Sequence, residues 1–341
     1  MMRSMSTAAP RARLESCLEA FPRQRIAVIG DLALDEFVHG RTARVSREAP
    51  VLILRHESTD RLPGCAGNAA RNVAALGGAA FAVGLLGEDE AGTVLAELLR
   101  DCGVDTAGVV RLPQGRTWRK TRFTAGDLHT VQQQVMRLDH EPEYGSPDLW
   151  RGALLAAVEA ALQRATGILL CDYGGGVLDA STRPLVLELC RRRGVPVLAD
   201  SRYALDSFAG VTCATPNETE IEPILGRALA NDADVEAAGL ELQRRLRCPA
   251  LVITRGRLGM TVFDGTAPLH LPAYGDEAVD VAGAGDTVAA AVVLALAAGS
   301  SVGDAARLAN YAASRVVRQR GTAVTERSGV LDCLRHDAAP R

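Results

Sequence analysis

From residue 149 to residue 254 the chain alternates between two kinds of segment, and this alternation restricts the fold more than any other feature. Segments with helical periodicity are separated by short apolar runs that have the length of buried strands. We predict helices at residues 149–163, 183–193, 217–225 and 235–247, and strands at residues 167–171, 196–199, 211–214 and 251–254. This pattern is typical of an α/β fold with a doubly wound, mostly parallel sheet.

Two polar segments with β-type alternation do not fit inside such a sheet. They cover about residues 36–57 and 116–138. We expect these two insertions to form one small β lid. The main domain should cover residues 24–330, with a flexible N-terminus at residues 1–23 and a C-terminal tail at residues 331–341.

Composition excludes several classes of protein. The 341 residues are 48% hydrophobic, which is ample for a large core, and the formal net charge of −3 gives no reason to expect nucleic acid or an anionic membrane as a partner. No apolar run is long enough to span a bilayer without a charge or a turn residue. The eight cysteines lack metal or disulfide spacing, and the first ten residues lack a signal-peptide pattern, so we expect a cytoplasmic protein.

The sequence DVAGAGDT at residues 280–287 runs directly into an apolar, alanine-rich segment at residues 288–298. The apolar segment indicates a buried helix, and the glycines allow the backbone before it to turn tightly. Unpaired N–H groups and the helix dipole attract an anion at such a helix N-terminus. Asp286 can serve there as a capping residue or as a base beside a transferring phosphoryl group, and the motif alone leaves both open.

Two other phosphate-binding motifs are poor matches. A dinucleotide fingerprint should follow the first strand of a βαβ unit, but these glycines lie late in the chain, before another helical segment at residues 303–319. A Walker-type loop needs a lysine after its glycines, and Lys120 is the only lysine, with no glycine directly before it. Phosphate binding must therefore rest on backbone N–H groups and arginines.

Polar clusters follow several of the predicted strands, and ligands of open α/β sheets bind beyond the carboxyl ends of strands. The clusters are Asp31 with Asp35, Gly64 with Asn68, Asp172 before three glycines, Asn217 with Glu220, and Thr254 with Gly256 and Gly259. Together with the anion-binding turn, they predict a phosphoryl-transfer cleft.

Several of these residues have a structural alternative. Asp31 and Asp35 can be turn residues or a carboxylate pair that grips vicinal hydroxyls. Asn217 and Glu220 have the spacing of a helix capping box, and the same acidic face can organise water around Mg²⁺. The arginines in or beside the lid can form a solvated face or bind a phosphate already present on a substrate. They are Arg44, Arg47, Arg119, Arg122 and Arg137.

Taken together, these motifs resemble the ribokinase/PfkB family of carbohydrate kinases over residues 24–325. DVAGAGDT matches the C-terminal signature of the family, residues 64–68 stand at its N-terminal glycine motif, and residues 217–220 match its N-x-x-E element. Within the family the chain is most similar to kinases of D-glycero-D-manno-heptose 7-phosphate, on residues that include 46–51, 63–72, 134–139 and 171–173. The resemblance implies a ribokinase-like fold and transfer of the ATP γ-phosphoryl group to a sugar hydroxyl, which is O1 for the heptose phosphate.

The resemblance also implies roles for individual residues. Asp286 would be the base, and the turn with Gly283, Ala284 and Gly285 would hold the developing charge. Substrate contacts would come from Asp31, Asp35, Gly64, Asn68, Arg137 and Asp172, and nucleotide contacts from Asn217, Glu220, Thr254, Gly256, Gly259 and Asn310. Glu220 would bind Mg²⁺ through water, and relatives also use a monovalent cation such as K⁺. Lid sheets of this kind often pair between subunits, so we expect a homodimer.

The chain departs from the family pattern at three places. The usual threonine of the signature is Ala282, the second glycine of the N-terminal motif is Cys65, and the Asp-Pro-Lys of heptose kinases is replaced by residues 200–202, Asp-Ser-Arg. Two alternatives stay open: a kinase for ribose, fructose or a nucleoside, and a catalytically silent sugar- or nucleotide-binding regulator. We expect no fused adenylyltransferase domain, because only a short tail follows Thr325.

Overall fold

The computed structural model describes residues 8–126, 133–275, 278–319 and 321–337. Its strands are β1 (Arg25–Gly30), β2 (Leu32–Val45), β3 (Leu52–Cys65), β4 (Ala79–Gly87), β5 (Asp105–Leu112), β6 (Trp118–Gly126), β7 (Gln133–His140), β8 (Gly167–Asp172), β9 (Val197–Ser201), β10 (Cys213–Ala214), β11 (Ala250–Thr254), β12 (Met260–Phe263) and β13 (Leu269–Leu271). Its helices are α1 (Ala8–Ala20), α2 (Ala66–Ala75), α3 (Glu90–Asp101), α4 (Arg151–Arg164), α5 (Arg183–Arg193), α6 (Glu218–Leu225), α7 (Asp232–Leu246), α8 (Ala284–Ala297), α9 (Val302–Val316) and α10 (Arg327–His336).

The main sheet has nine strands in the order β13-β12-β11-β10-β9-β8-β1-β4-β5. Its strands run parallel except at one edge, where β12 and β13 form antiparallel pairs that the sequence did not predict. Successive side chains of β1 enter two different cores, because neighbouring residues of a strand point to opposite faces. Ile26 and Val28 pack in one core, and Ala27 and Ile29 pack in the other. Both faces are therefore covered, which confirms the doubly wound α/β fold.

Helix α8 is the predicted alanine-rich helix, and residues 286–296 of it are buried. A helix that is apolar all round must be surrounded by other elements, and α8 packs against α2, α9 and β8. This packing places its first turn beside the carboxyl end of β8. Neither α8 nor any other helix in the described ranges is long and apolar enough to cross a membrane.

The lid is a separate four-stranded sheet in the order β3-β2-β6-β7. Strands β2 and β6 pair in parallel, and the two outer pairs are antiparallel. Two separated segments of the chain form this sheet, which confirms the predicted lid. Residues 127–132, which belong to the predicted lid segment 116–138, lie outside the described residues.

Two helices lie wholly or partly in the segments that the sequence placed outside the main domain. Helix α1 lies within the segment predicted to be flexible, and it buries Leu14 and Leu18 in the main core. Helix α10 continues into the predicted C-terminal tail and buries Leu334 in the same core. The two helices contact each other. Their few apolar residues find a core only in the tertiary structure, so the local pattern did not reveal them.

Candidate active site

A cavity of about 190 Å³ opens at the carboxyl ends of several strands of the main sheet, beside the first turn of α8. This is the edge at which ligands of open α/β sheets bind. The residues that line it are Tyr173, Asp200, Arg202, Thr215, Asn217, Glu220, Thr254, Gly283, Gly285 and Asp286. Six of them are site residues that the sequence predicted, so the structure brings together the helix turn, the N-x-x-E element and Thr254.

The turn before α8 has the geometry of an anion-binding site, although a narrower one than predicted. Gly283 caps the helix in the left-handed region with φ of 78°, which glycine adopts without strain. The N–H of Ala284 donates to the carbonyl of Val281 at 3.2 Å. The N–H groups of Gly285 and Asp286 have no backbone carbonyl partner among the described residues, and a Cβ on Gly285 would meet no atom within 4 Å. Two N–H groups, rather than three, are therefore free for a ligand.

The carboxylate of Asp286 is 7% exposed and is held from two sides. Asn68 donates to its Oδ2 at 2.5 Å, and the hydroxyl of Tyr173 donates to its Oδ1. Burial raises the pKa of Asp286 to about 6, although these hydrogen bonds and the charge of Lys120 act in the opposite direction. Such a carboxylate is ionised at neutral pH and is more basic than an ordinary aspartate, which suits a general base.

Two further carboxylates face the same cavity. Burial and the charge of Asp286 raise the pKa of Asp200 well above its usual range, and burial raises the pKa of Glu220. Several acidic groups around one cavity repel each other, and a cation would relieve this repulsion. Mg²⁺ keeps several waters and takes only one or two carboxylates from the protein, so Glu220 fits the role. Within the described ranges no three His, Cys, Asp or Glu side chains are arranged as a dedicated metal site.

Asn217 and Glu220 form the capping box that their spacing allowed. The Asn217 side chain accepts from the N–H of Glu220, and the Glu220 side chain accepts from the N–H of Asn217, both at 2.9 Å. These bonds give acceptors to two backbone N–H groups at the start of α6. Both residues also line the cavity, where they could reach a ligand. Their contacts with nucleotide and Mg²⁺ stay predictions.

Asp31 is held by backbone hydrogen bonds, and its predicted grip on sugar hydroxyls stays a prediction. Its side chain is fully buried and accepts backbone N–H bonds from Tyr173, Gly175 and Val177 at 2.8, 2.9 and 3.1 Å. Burial raises its pKa to about 6. Asp31 therefore holds in place the glycine-rich loop after β8.

Asp35, Gly64 and Asn68 lie where the lid joins the main domain. A Cβ on Gly64 would stand 2.6 Å from the Asp35 carboxylate, so glycine alone allows this approach. Asp35 accepts from Arg122 at 2.7 Å. The Oδ1 of Asn68 is buried without a hydrogen-bond partner, while its Nδ2 holds Asp286. An acceptor that is buried without a partner among the described residues, next to the buried carboxylate of Asp286, suits the hydroxyl of a ligand.

The strand register of the lid arranges five charged side chains and Phe37 in two rows on one face. The inner row consists of Asp35, Lys120 and Asp139, and the outer row consists of Phe37, Arg122 and Arg137. Residues two apart on a strand share a face and are separated by about 7 Å. Because Asp35 contacts Gly64 at the lid base, the two arginines lie farther from α8. Arg137 is half-exposed and pairs with both oxygens of Asp139.

A family model described as "pfkB family carbohydrate kinase" matches residues 23–328. The chain belongs to this family. It is therefore a kinase of the carbohydrate kinase type, and the sequence interpretation as a phosphotransferase is confirmed.

Curated relatives of this pfkB kinase carry the name "Bifunctional protein HldE". The protein of Methylococcus capsulatus is 39% identical over 326 residues, which are 95% of this chain and 67% of the relative. The protein of Aeromonas hydrophila is 40% identical over 308 residues, which are 89% of this chain and 62% of the relative. The chain thus spans about two thirds of the length of the relatives that it matches.

Solved structures share the fold of this pfkB kinase at low sequence identity. Ribokinase of Arabidopsis thaliana, complexed with ribose and ATP, has a TM-score of 0.73 and 23% identity. Phosphofructokinase-2 of Escherichia coli, in complex with potassium, has a TM-score of 0.75 and 21% identity. Each structural match covers 92% of this chain and 99% of the solved chain. They confirm the ribokinase-like fold.

Other predicted site residues of the pfkB kinase do not line the cavity. Asp172 accepts from the hydroxyl of Ser201 at 2.7 Å, and Asn310 donates to the carbonyl of Pro272 at 2.6 Å. Gly259 has φ of 89°, and a Cβ there would stand 2.0 Å from a backbone oxygen of the next hairpin strand. Gly256 faces open space. The contacts of these residues with nucleotide or sugar stay predictions.

Four residues that line the cavity had no predicted site role. They are Tyr173, Asp200, Arg202 and Thr215. A signal was present, because each follows within a few residues of a predicted strand, where ligand contacts are expected. Tyr173 matters most, since its hydroxyl contacts Asp286 and lies 3.3 Å from Asp200.

Proposed function

We propose that this pfkB kinase transfers the γ-phosphoryl group of ATP to O1 of D-glycero-D-manno-heptose 7-phosphate. One observation carries the transfer step: the buried carboxylate of Asp286 stands on the first turn of α8, beside free N–H groups and the cavity. The sequence similarity to HldE proteins supports the heptose phosphate as acceptor. The shared fold with a ribokinase complexed with ATP supports the donor.

In the proposed reaction Asp286 takes the proton from the sugar hydroxyl, and the oxygen of that hydroxyl attacks the γ-phosphorus of ATP. The new O–P bond forms as the bond to the β,γ-bridging oxygen breaks, and ADP leaves. The N–H groups of Gly285 and Asp286 stabilise the charge that develops on the transferred group. Asn68 and Tyr173 orient the base through the two hydrogen bonds to its oxygens. Mg²⁺, held through water by Glu220, would neutralise phosphate charge.

The lid supports an acceptor that already carries a phosphate. Arg122 and Arg137 stand in the outer row, about 7 Å beyond the inner row with Asp35 and Lys120. The guanidinium groups of both arginines reach back to inner-row carboxylates, Arg122 to Asp35 and Arg137 to Asp139, so two fixed positive charges lie on the face that presents Lys120. Therefore O1 can face Asp286 while the 7-phosphate meets the arginine side chains, whose planar forks bind two phosphate oxygens.

We also propose that two copies of the kinase pair through the lid. On the lid face opposite to Lys120, Met136 and Leu138 are 53% and 47% exposed, and Phe123 lies directly across from Met136. Large apolar side chains exposed together on a sheet mark an interaction surface. A second copy of this chain is a suitable partner, because a two-fold axis brings the same patch onto itself.

The Asp286→Asn variant tests the transfer step. We expect turnover to fall by about 10²–10⁴-fold, because the amide cannot accept the proton. Turnover is measured as ADP release with ATP and a panel of sugars and sugar phosphates. The matched control is Asp148→Asn, which changes an exposed aspartate.

A parental rate for Asp286→Asn would contradict the proposed mechanism. If the parental enzyme prefers ribose, fructose or a nucleoside to the heptose phosphate, the acceptor assignment is wrong while the transfer chemistry stands.

A further inference from the structure

The only lysine of the chain is buried beside the active site without an ionic partner. Lys120 is 7% exposed, and none of the ion pairs among the described residues includes it. Its ammonium donates to the Sγ of Cys65 at 2.8 Å and lies 3.7 Å from the ring centre of Trp118. Burial raises the pKa of the Cys65 thiol to about 12, so the thiol is neutral and forms no ion pair with Lys120.

Two buried polar atoms at this part of the lid base have no hydrogen-bond partner among the described residues. They are the Nε1 of Trp118, whose ring lies under the ammonium, and the Oδ1 of Asn68, three residues after Cys65. Cys65, Trp118 and Tyr173 pack together. An ammonium has three donors, of which the thiol takes one. A buried charge and buried polar atoms are costly unless they are paired. These unpaired groups indicate that a polar ligand binds here. The oxygens of a sugar can accept from the Lys120 ammonium and the Trp118 N–H, and a sugar hydroxyl can donate to the Asn68 Oδ1.

Cys65 holds this ammonium from a strained backbone position. It has φ of 54° and ψ of −131° at the residue before α2, a region that glycine adopts freely and other residues avoid. The related kinases have glycine at this place in the motif, so the strain is specific to this chain. Strain that persists next to an active site indicates that the side chain has a function there.

We propose that Lys120 binds the acceptor sugar at the oxygen next to the reacting hydroxyl, and that Cys65 is the positioning residue that aims its ammonium. The inference rests on the proposed function and adds a specificity-determining pair to it. The acceptor class it selects is a sugar whose phosphorylated hydroxyl has a neighbouring ring oxygen or hydroxyl. A lone alcohol would leave the ammonium unpaired.

The Lys120→Met variant tests the binding role, because methionine keeps the length of the side chain and removes the charge. We expect the KM for the acceptor to rise by about 10–100-fold, as for a lost hydrogen bond to a charged group. The KM for ATP should stay within about twofold. The melting temperature should not fall, since an unpaired buried charge is replaced by an apolar side chain.

Three variants of Cys65 separate positioning from strain. Cys65→Ala keeps the strain and loses the thiol, Cys65→Gly loses both, and Cys65→Ser keeps a hydrogen-bond acceptor. We expect Cys65→Gly to melt about 2 °C or more above Cys65→Ala. Both should nevertheless show the same rise in acceptor KM, about fivefold or more, and Cys65→Ser should stay within about twofold of the parent.

A parental acceptor KM in Lys120→Met overturns the binding role, and a parental acceptor KM in Cys65→Gly overturns the positioning role. Both are measured with whichever sugar the parent phosphorylates, so failure of the heptose assignment does not affect them. If the parent phosphorylates no sugar of the panel, the proposed function fails first. Calorimetric titration with D-glycero-D-manno-heptose 7-phosphate then decides, and equal affinity of parent and Lys120→Met overturns the inference.

Discussion

At the scale of single residues, the site shows that the accessibility of a carboxylate matters as much as its basicity. Burial raises the pKa of both Asp31 and Asp286 to about 6. Asp31 accepts three backbone N–H bonds and is fully buried. Asp286 accepts from two side chains and borders the cavity. One aspartate therefore fixes a loop, and the other is available for proton transfer.

The pH dependence of turnover follows from Asp286. Because the base must be ionised, kcat/KM for the acceptor should fall below about pH 6, by about tenfold per pH unit. Burial and the charge of Asp35 raise the pKa of Asp286, and the hydrogen bonds from Tyr173 and Asn68 and the charge of Lys120 lower it. Asp200 is a further acid close enough to interact with Asp286. Lys120 lowers the pKa of Asp286, so the acid limb of Lys120→Met should move to higher pH. Rate profiles at saturating ATP check this, and superimposable acid limbs would contradict it.

At the scale of elements, the register of the lid strands decides which side chains can meet a substrate. Lys120 and Arg122 share a face of β6, whereas Arg119 and Thr121 point the other way. A slip of one residue would exchange the two sets. Strand β6 is paired on both sides, with β2 and β7, and this pairing holds the register.

Two substitutions in the lid test the phosphate contact. Arg122→Ala and Arg137→Ala should each raise the KM for the phosphorylated sugar by about 10–100-fold, because a charged hydrogen bond is lost. The KM for the unphosphorylated sugar should change little. Steady-state kinetics with both sugars measure the difference. Both arginines pair with an aspartate, but Arg137→Ala is the cleaner variant, because Asp139 is partly exposed whereas Asp35, the partner of Arg122, is buried.

Arg119→Ala is the matched control for the lid series, because Arg119 lies on the opposite face, next to His140. Equal KM changes for the two sugars in Arg137→Ala would refute a phosphate contact and favour a neutral acceptor.

At the scale of the whole molecule, the site is assembled from distant parts of the chain by one sheet and one buried helix. Asn68 and Asp286 are 218 positions apart and share a hydrogen bond, and Tyr173 reaches Asp286 across 113 positions. The parallel sheet brings its strand ends to one edge, and the apolar α8 must lie against it. The lid contributes Lys120 from a second sheet, so the acceptor side of the site depends on how the two sheets meet.

If two copies pair through the lid, substitutions in the exposed apolar patch should change the mass of the enzyme in solution. Met136→Lys and Leu138→Lys should convert the enzyme from a dimer to a monomer of 36.0 kDa, because a charge would be buried at the interface. Leu240→Lys, at a similarly exposed leucine on α7, should leave the mass unchanged. Light scattering measures all three, and a monomeric parent at assay concentration would rule out the dimer.

The sequence by itself determined the features that local periodicity and turn chemistry encode. These are the α/β alternation, the buried helix α8, its glycine turn and the polar residues at the strand ends. Only the tertiary structure decided that Asp31 holds a loop, that Tyr173 binds Asp286, and that Cys65 contacts Lys120. Each of these depends on the order and register of strands far apart in the chain. A local pattern shows which face of a strand is apolar, but it does not show which strand lies beside it.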